Sequence, residues 1–301
     1  MKETNIQTNS LQAWLLATRP KTLSGAAVPV MIGTALAYSD STVNGESFLW
    51  IPAILCFLFA FTMQIDANLI NDLFDYLGGK DKRETRLGPP RACTEGWTTP
   101  SAMKKAIALT TLLACGFGLP LIYYGGLEMI LVGLICVLFC FLYTTHLASM
   151  GLGDILVLVF FGIIPVCVTY YLQFHTCTWT VLIASIACGL VIDGLLIVNN
   201  FRDRETDLQV GKNTLVVRIG AENSLYAYLL LGIISYILGG IIFFSDHPWA
   251  ALLPTIYLIL HCSTYRKMKE IGSGKALNKC LGETARNMFI YGLTIALGTL
   301  L

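Results

Sequence analysis

The chain contains nine apolar segments of the length that crosses a lipid bilayer. A transmembrane helix needs about 20 consecutive, predominantly apolar residues, because its backbone polar groups must pair within the segment inside hydrocarbon. The segments lie at residues 22–38, 48–70, 106–123, 127–143, 155–173, 180–198, 224–243, 248–264 and 285–301. The sequence therefore predicts an all-α, polytopic membrane bundle of about nine transmembrane helices, formed by a single domain over residues 1–301.

Composition agrees with residence in a bilayer. Of the 301 residues, 55% are hydrophobic and 13% are charged, whereas an average soluble domain has about 25% charged residues. The net charge of +1 gives no sign of a nucleic-acid partner, and none is expected. Most of the ten cysteines lie within the apolar segments and none forms a CxxC pair, so they are interpreted as small packing residues and not as disulfides.

The basic residues indicate an orientation in the membrane. All 20 Lys and Arg fall at the N-terminus or in the stretches 72–105, 202–218 and 266–286. With a cytoplasmic N-terminus, all four lie on the same side, and the loops on the other side have none. The positive-inside rule then predicts a multi-pass protein of the cytoplasmic (inner) membrane. The start of the first segment also resembles a signal peptide, but the polar stretch before Arg19 favours a retained helix.

Residues 71–81 place three carboxylates and an amide at the end of an apolar helix. A polar stripe on one helical face leads to this end, formed by Gln64, Asn68, Asn71, Asp72 and Asp75. Carboxylates at a helix C-terminus are disfavoured by the macrodipole unless a cation is bound. Closely spaced Asp side chains are hard oxygen ligands of the kind that Mg²⁺ takes. The alternative is a solvated, acidic helix end.

A second stretch, residues 199–207, repeats the arrangement. An apolar helix runs into Asn199 and Asn200, and Asp203 and Asp207 follow one turn apart. Two such motifs form a pseudo-repeat and predict metal sites that face each other. Basic residues accompany both motifs, and Arg next to metal-binding carboxylates suits a diphosphate. A further basic cluster at residues 19–22 is either a topology anchor or part of the same site.

Three other acidic residues stand out. Asp154 begins an apolar helix, where it caps the helix or contacts a substrate. Asp66 and Asp193 lie deeper, inside the second and sixth segments, where ionisable side chains are costly and tend to be functional. We expect these two to face each other or a cavity. The scattered residues His175 and His247, like His261, give no metal-ligand spacing and are interpreted as structural.

Acidic helix ends, basic loops and an apolar bundle together favour a reaction on a phosphorylated, lipid-soluble substrate. Ionising an allylic diphosphate requires Mg²⁺ and cations around the leaving pyrophosphate. At these residues the sequence resembles the UbiA superfamily of intramembrane prenyltransferases, and more closely its branch of 1,4-dihydroxy-2-naphthoate polyprenyltransferases of menaquinone biosynthesis. The motifs that carry the resemblance are Trp14, Arg19–Thr22, Asn71–Asp75, Gly88–Arg91, Gly151–Asp154, Phe160–Gly162, Asn199–Asp203 and Gly211–Arg218.

The resemblance implies a helical bundle around a central cavity and a magnesium-dependent enzyme. The implied catalytic residues and Mg²⁺ ligands are Asp72, Asp75, Asp203 and Asp207. The candidate substrate-binding residues are Lys21, Asn68, Asn71, Asp81, Arg91, Tyr143, Asp154, Asn200, Lys212 and Arg218. The implied reaction transfers a polyprenyl chain from its diphosphate to 1,4-dihydroxy-2-naphthoate with loss of CO₂, giving demethylmenaquinone. The chain departs from the family pattern at residues 146–149, and at Asp66 and Asp193.

Two alternatives remain open. The first is a prenyltransferase of the same superfamily that uses another acceptor, 4-hydroxybenzoate or haem. The second is a polytopic transporter, which would also place acidic residues in a membrane cavity. A transporter would not need two basic loops, punctuated by Gly and Pro, on one face of the membrane.

Overall fold

The computed structural model describes residues 6–79, 81–143, 147 and 150–301. Within these residues the protein is all-α, with 80% helix and no strands. The departure at residues 146–149 falls outside the described residues except for Leu147. The all-α class predicted from the apolar segments is confirmed.

Thirteen α-helices follow one another in the described part of the chain. They are α1 Leu11–Ala17, α2 Ser24–Asn44, α3 Trp50–Leu77, α4 Pro100–Gly118, α5 Leu121–Gly125, α6 Glu128–Leu142, α7 Gly153–Val157, α8 Ile164–Phe174, α9 Trp179–Gln209, α10 Leu215–Phe243, α11 Pro248–Leu252, α12 Thr255–Ile271 and α13 Asn278–Leu300. Short 3₁₀ turns at Pro20–Thr22 and Lys275–Leu277 precede α2 and α13, and a π-helical segment, Leu158–Ile163, joins α7 to α8.

The structure supports a multi-pass membrane protein but does not confirm the count of nine spans. Among the described residues, five helical stretches are long and apolar enough to cross a bilayer, and these are α3, α4 with α5, α7 with α8, α9 and α10. A sixth span results if the stretch Leu11–Thr22 and helix α2, which meet at a bend of 51°, cross the bilayer together. Each of the nine predicted segments overlaps a helix, but fewer than nine of the described helical stretches are long and apolar enough to cross a bilayer. The number nine therefore stays a prediction.

Both acidic motifs lie at the C-terminal ends of long helices, as the sequence predicts. Helix α3 ends at Leu77, and α9 continues to Gln209. The apolar segment alone predicts that α9 ends near residue 198. The helix runs three turns further, because polar side chains in these turns pair with one another. The charged residues of this stretch therefore belong to the helix and not to a loop.

Helix α9 is at the centre of the bundle and carries its largest set of buried residues. The π-helical segment crosses it at a pair of glycines. A Cβ on Gly162 would lie 2.6 Å from the Cα of Gly189, so only glycine permits this approach of the two backbones. Small residues at helix crossings are typical of membrane bundles, where close packing supplies much of the association energy.

Helices α10, α12 and α13 enclose a polar network around His261. The imidazole stacks on Tyr228 with 4.3 Å between ring centroids, and its Nε2 is 3.0 Å from the Tyr228 carbonyl oxygen. The Tyr228 hydroxyl is 2.9 Å from Oγ1 of Thr284. These contacts satisfy polar groups that would be costly inside a bilayer. They agree with the structural role predicted for this histidine.

Asp66 and Asp193 do not pair with each other. The fully buried Asp66 accepts hydrogen bonds from the Thr110 and Thr111 hydroxyls of α4, the latter at 2.7 Å. Asp193 instead hydrogen-bonds Asp154. The alternative that the two aspartates face each other is therefore wrong, because each has its partner on a different helix.

Candidate active site

A cavity of about 830 Å³ lies within the bundle and has one polar end. The polar residues lining it include Arg19, Lys21, Asn71, Arg86, Arg91, Asn199, Arg202, Asp203, Lys212 and Asn278. Most of the remaining wall is apolar, with Phe59, Met63, Met129 and Phe160 among its residues. The cavity expected from the resemblance is present, and it combines a cationic end with a long apolar volume.

Arg91 connects the basic loop to the end of α3. Its Nη1 donates to the Asn71 carbonyl oxygen at 2.8 Å and forms a salt bridge with Asp75. Burial lowers the pKa of Arg91, but the charges of Asp75 and Asp81 outweigh burial and raise it. Its buried Nε has no hydrogen-bond partner within the part of the chain that the structure describes. A permanently charged guanidinium with an unused N–H beside a cavity suits a phosphate oxygen.

Asp72 holds the same loop from behind. The side chain is only 1% exposed, and its two oxygens accept backbone N–H groups, from Ala92 at 2.8 Å and from Cys93 at 3.1 Å. Asp72 does not line the cavity, in contrast to its neighbour Asn71. Its carboxylate fixes the position of Arg91 in this structure, and its role as a metal ligand stays a prediction.

Asp81 orients a second arginine toward the cavity. It accepts a hydrogen bond from the Thr94 hydroxyl at 2.5 Å and forms a salt bridge with Arg86, which lines the cavity. Burial raises the pKa of Asp81, but the Thr94 hydrogen bond and the charges of Arg91 and Arg86 outweigh burial and lower it. Asp81 therefore lies behind Arg86 and does not itself line the cavity.

Arg202 organises the second acidic motif. Its side chain is buried, and it donates to both carboxylate oxygens of Asp203, at 2.8 and 2.5 Å. The same guanidinium donates at 2.8 Å to the side-chain oxygens of Asn199 and Asn278. Five directed N–H groups on one rigid fork make this arrangement specific to arginine.

The basic loop after α3 packs directly on this guanidinium. Asn278 donates to the Leu87 carbonyl oxygen at 2.8 Å. A Cβ on Gly88 would lie 2.7 Å from Nη2 of Arg202, so this position has no room for a side chain. The loop from the first motif therefore rests on the second motif, and the two helix ends are held together.

Asp207 lies behind the cavity wall and has one carboxylate oxygen that is not in use. The Nζ of Lys212 is 3.6 Å from its Oδ1, while its buried Oδ2 has no hydrogen-bond partner in the described part of the chain. The charges of Asp203 and Asp75 act on Asp207, so carboxylates from both motifs lie in one electrostatic environment. The prediction that the motifs face each other agrees with this geometry.

These carboxylates are compatible with magnesium brought in by a diphosphate. Within the described residues, no three His, Cys, Asp or Glu side chains converge as a preformed metal site. Mg²⁺ that is shared with substrate phosphates commonly takes only one or two protein carboxylates. The unpartnered Oδ2 of Asp207 supplies an oxygen of the required kind.

Residues 26–293 match the UbiA prenyltransferase family. The chain belongs to this family.

Relatives support the assignment along the whole chain. The 1,4-dihydroxy-2-naphthoate octaprenyltransferase of Escherichia coli (strain K12) is 34% identical, covering 99% of this chain and 98% of that protein. The enzyme of the same name from Haemophilus influenzae is 33% identical, covering 77% of this chain and 78% of that protein. The structure of a UbiA homolog from Archaeoglobus fulgidus bound to DMAPP and Mg²⁺ shows the same fold, with a TM-score of 0.60 at 14% identity. The match covers 94% of this chain and 99% of that chain.

Several predicted site residues of this UbiA prenyltransferase lie one layer behind the cavity. Asn68 donates at 2.9 Å to the Thr18 carbonyl oxygen and to the Thr22 hydroxyl, which fixes the segment that carries Arg19 and Lys21. Asn200 is buried and does not line the cavity. The candidate residues Lys21, Asn71, Arg91, Tyr143, Asp203 and Lys212 do line it.

Arg218 does not line the cavity, and its predicted contact with a phosphate stays a prediction. It is exposed and donates to the Met150 carbonyl oxygen at 2.5 Å. A Cβ on Gly151 would lie 3.0 Å from Nε of Arg218, so the two segments pack closely. The helix that follows Thr214 directs this side chain toward Met150, which lies just before α7.

The cavity wall includes polar residues that are not among the predicted site residues, such as Arg19, Arg86, Arg202 and Asn278. Arg19 adopts a left-handed backbone conformation with φ of 50° before Pro20, and its buried Nη2 has no hydrogen-bond partner among the residues that the structure describes. Arg86 lies in the basic loop after the first motif and Arg202 lies next to Asp203 in the second, so the basic residues that accompany the motifs are the available signal. Asn278 had no sequence signal, since it is distant in sequence from both motifs.

Proposed function

We propose that this protein transfers a polyprenyl chain from an allylic polyprenyl diphosphate to 1,4-dihydroxy-2-naphthoate, with release of pyrophosphate and CO₂, giving the hydroquinone form of demethylmenaquinone. The observation that carries the proposal is the cavity with a cationic end and a long apolar remainder. This shape suits a substrate with an anionic head and an isoprenoid tail. The names of the relatives from Escherichia coli and Haemophilus influenzae favour the naphthoate over 4-hydroxybenzoate or haem as acceptor.

The diphosphate would bind at the polar end of the cavity. Arg91 and Lys212 extend from the two motif loops, and Arg19 and Lys21 from the N-terminal segment. Their positive charges lower the energy of the pyrophosphate as it leaves, because they are already in place where negative charge develops. Arg86, held by Asp81, adds a further guanidinium.

Magnesium would be held by Asp75, Asp203 and Asp207, with Asp72 as a further predicted ligand. The metal, when bound, neutralises charge on the diphosphate and so assists cleavage of the allylic C–O bond. The Archaeoglobus fulgidus homolog is described as bound to DMAPP and Mg²⁺, which supports the same requirement here. Arg202 keeps the Asp203 carboxylate in a fixed orientation toward this site.

The apolar walls would protect the allylic cation from water. Phe160 and Phe161 line the cavity, and the ring of Phe160 lies 5.1 Å from that of Phe139. Aromatic faces stabilise a nearby cation through their quadrupoles. Exclusion of water directs the cation to the ring carbon of the acceptor and prevents its hydrolysis.

We infer that the polar end of the cavity faces the cytoplasm and that the protein resides in the inner membrane. All the Lys and Arg residues fall in loops predicted on one side, which supports this orientation. Phosphorylated substrates and Mg²⁺ are available on that side.

The test uses purified protein in detergent with Mg²⁺, an allylic polyprenyl diphosphate and 1,4-dihydroxy-2-naphthoate, and follows release of pyrophosphate and CO₂. We expect both products, and we expect Asp203→Asn to abolish them. Asp66→Asn is the matched control, since Asp66 is a buried aspartate bonded to α4 and not lining the cavity. Turnover with 4-hydroxybenzoate alone would refute the naphthoate assignment, and turnover that does not depend on Mg²⁺ would refute the metal requirement.

A further inference from the structure

Two aspartates within the bundle have no part in the diphosphate site. Asp154 lies in the first turn of α7 and Asp193 in the middle of α9, and the two side chains hydrogen-bond each other. Asp193 is only 6% exposed, and among the described residues neither its Oδ1 nor the buried Oδ1 of Asp154 has a hydrogen-bond partner. Ionisable side chains inside a membrane protein are costly and most often serve a function.

The contact between the two side chains defines their chemistry. An ionised carboxylate only accepts hydrogen bonds, so a hydrogen bond between two carboxyl groups requires a proton on one of them. Two carboxyl groups in such contact share one proton, and the ionised member of the pair can take a second. Pairs of aspartates that share a proton behave as one unit in acid–base chemistry.

Tyr143 connects this pair to the cavity. It caps the C-terminus of α6 and lines the cavity. Its hydroxyl lies 3.8 Å from the Cβ position of Gly153, the residue before Asp154, and the charges of Asp154 and Asp193 both act on it. Asp75 is the other charged group of the described residues that acts on Tyr143. Tyr143 is thus a cavity-lining residue whose hydroxyl lies next to the first turn of α7, where Asp154 begins the carboxyl pair.

The α9 side of the pair is also close to the cavity wall. Ile192 precedes Asp193 directly, and Leu196 follows it by one turn, and both line the cavity. Leu196 also packs against Gly153, since a Cβ on Gly153 would lie 3.3 Å from Cδ2 of Leu196. The first turn of α7 and this turn of α9 are therefore in contact, which keeps Asp154 and Asp193 together behind the wall.

We propose that Asp193 positions Asp154 so that the pair, acting through the Tyr143 hydroxyl, takes a proton from the phenolic hydroxyl of the aromatic acceptor. This inference rests on the proposed function. Asp193 is a positioning residue, since it acts through Asp154. The site would serve a hydroxylated aromatic acid, whose ring carbon becomes a stronger nucleophile as its hydroxyl loses the proton.

The proton and electron pairs balance without another reactant. The ring carbon that carries the carboxylate forms a bond to the allylic carbon, while the C–O bond breaks and pyrophosphate leaves with the electron pair. The acceptor hydroxyl becomes a carbonyl, and its proton passes to the Tyr143 oxygen as Tyr143 gives its own proton to the pair. When CO₂ leaves, its bonding electrons return to the ring, and the carbonyl oxygen takes the proton back.

The experiment compares the pH dependence of kcat for the wild-type protein, Asp193→Asn and Asp193→Glu, with Mg²⁺ and both substrates present. An amide donates a permanent hydrogen bond to Asp154 and keeps it ionised at lower pH. We therefore expect the acidic limb of the Asp193→Asn profile to move to lower pH, kcat to fall by about tenfold, and the KM for the diphosphate to stay unchanged. Asp193→Glu should restore the wild-type limb, and Asp66→Asn should leave the profile unchanged.

Tyr143→Phe provides an independent variant, because it removes only the hydroxyl. We expect it to lower kcat without changing the KM for the diphosphate. An Asp193→Asn profile that overlays the wild-type profile, or a Tyr143→Phe enzyme with unchanged kcat, would overturn the proposal. A wild-type protein that makes no prenylated naphthoate would overturn the proposed acceptor and this role with it, and that failure appears before any variant is tested.

Discussion

The carboxylate of Asp72 accepts a hydrogen bond from the backbone N–H of Ala92 at 2.8 Å. This contact joins the end of α3 to the loop that carries Arg91. The first motif therefore holds in place the arginine with which it pairs. Asp75, one turn further along the helix, forms a salt bridge with Arg91. Two aspartates of one short motif therefore have different structural tasks: Asp72 holds the backbone of the loop, and Asp75 holds the Arg91 guanidinium.

Substituting these two aspartates should separate stability from catalysis. Asp72→Asn loses the charge that accepts two backbone N–H groups, and a hydrogen bond to a charged group contributes about 1.5–3 kcal/mol. Asp75→Asn removes the charge of the salt bridge but leaves an amide oxygen that can still accept a hydrogen bond from Arg91. We expect Asp72→Asn to lower the thermal unfolding temperature in detergent clearly more than Asp75→Asn, while both lower turnover. Equal unfolding temperatures would contradict the assigned support role of Asp72.

Arg202→Lys should impair the enzyme although it keeps the charge. Lysine cannot reproduce the fork that donates at once to Asp203, Asn199 and Asn278. Loss of a residue that orients a metal-binding carboxylate typically costs roughly 10–100-fold in metal affinity or activity. We expect a loss of this size in kcat/KM, with a higher Mg²⁺ concentration needed for half-maximal rate. Arg266→Lys, on α12 and not lining the cavity, is the matched control, and equal activity of the two variants would contradict the prediction.

The sequence was sufficient for the all-α class, because hydropathy and helical spacing are local properties. It was not sufficient to distinguish Asp72 from Asp75, since both lie on one polar stripe and only the path of the following loop decides which one is covered. Nor did it identify Asn278, whose bond to the Leu87 carbonyl oxygen depends on how α13 packs. The contact of Arg218 with Met150 was missed for the same reason.

Gly88→Ala should displace the basic loop. The added methyl group would lie 2.7 Å from Nη2 of Arg202, and that guanidinium cannot move without breaking its bonds to Asp203. We expect a higher KM for the diphosphate, because the loop also carries Arg86 and Arg91. Gly116→Ala on α4 adds the same group into open space and should leave the KM unchanged. The KM for each variant is measured at saturating acceptor, and an unchanged KM for Gly88→Ala would show that the loop tolerates the displacement.

Asp81 should stabilise the protein at neutral pH and lose this effect in acid. Burial raises its pKa, but the Thr94 hydrogen bond and the charges of Arg91 and Arg86 lower it below the ordinary value. A group whose pKa is lower in the folded state stabilises that state fully above its unfolded pKa of about 3.9, and this stabilisation disappears as the pH falls through the folded pKa. We therefore expect the unfolding temperature of Asp81→Asn to lie below that of the wild type at pH 7, and the difference to shrink as the pH falls below about 4. Glu84→Gln, an exposed carboxylate in the same loop, is the control and should change little at either pH. A difference that grew in acid would mean that the pKa of Asp81 is raised in the folded protein and that its contact with Arg86 does not outweigh burial.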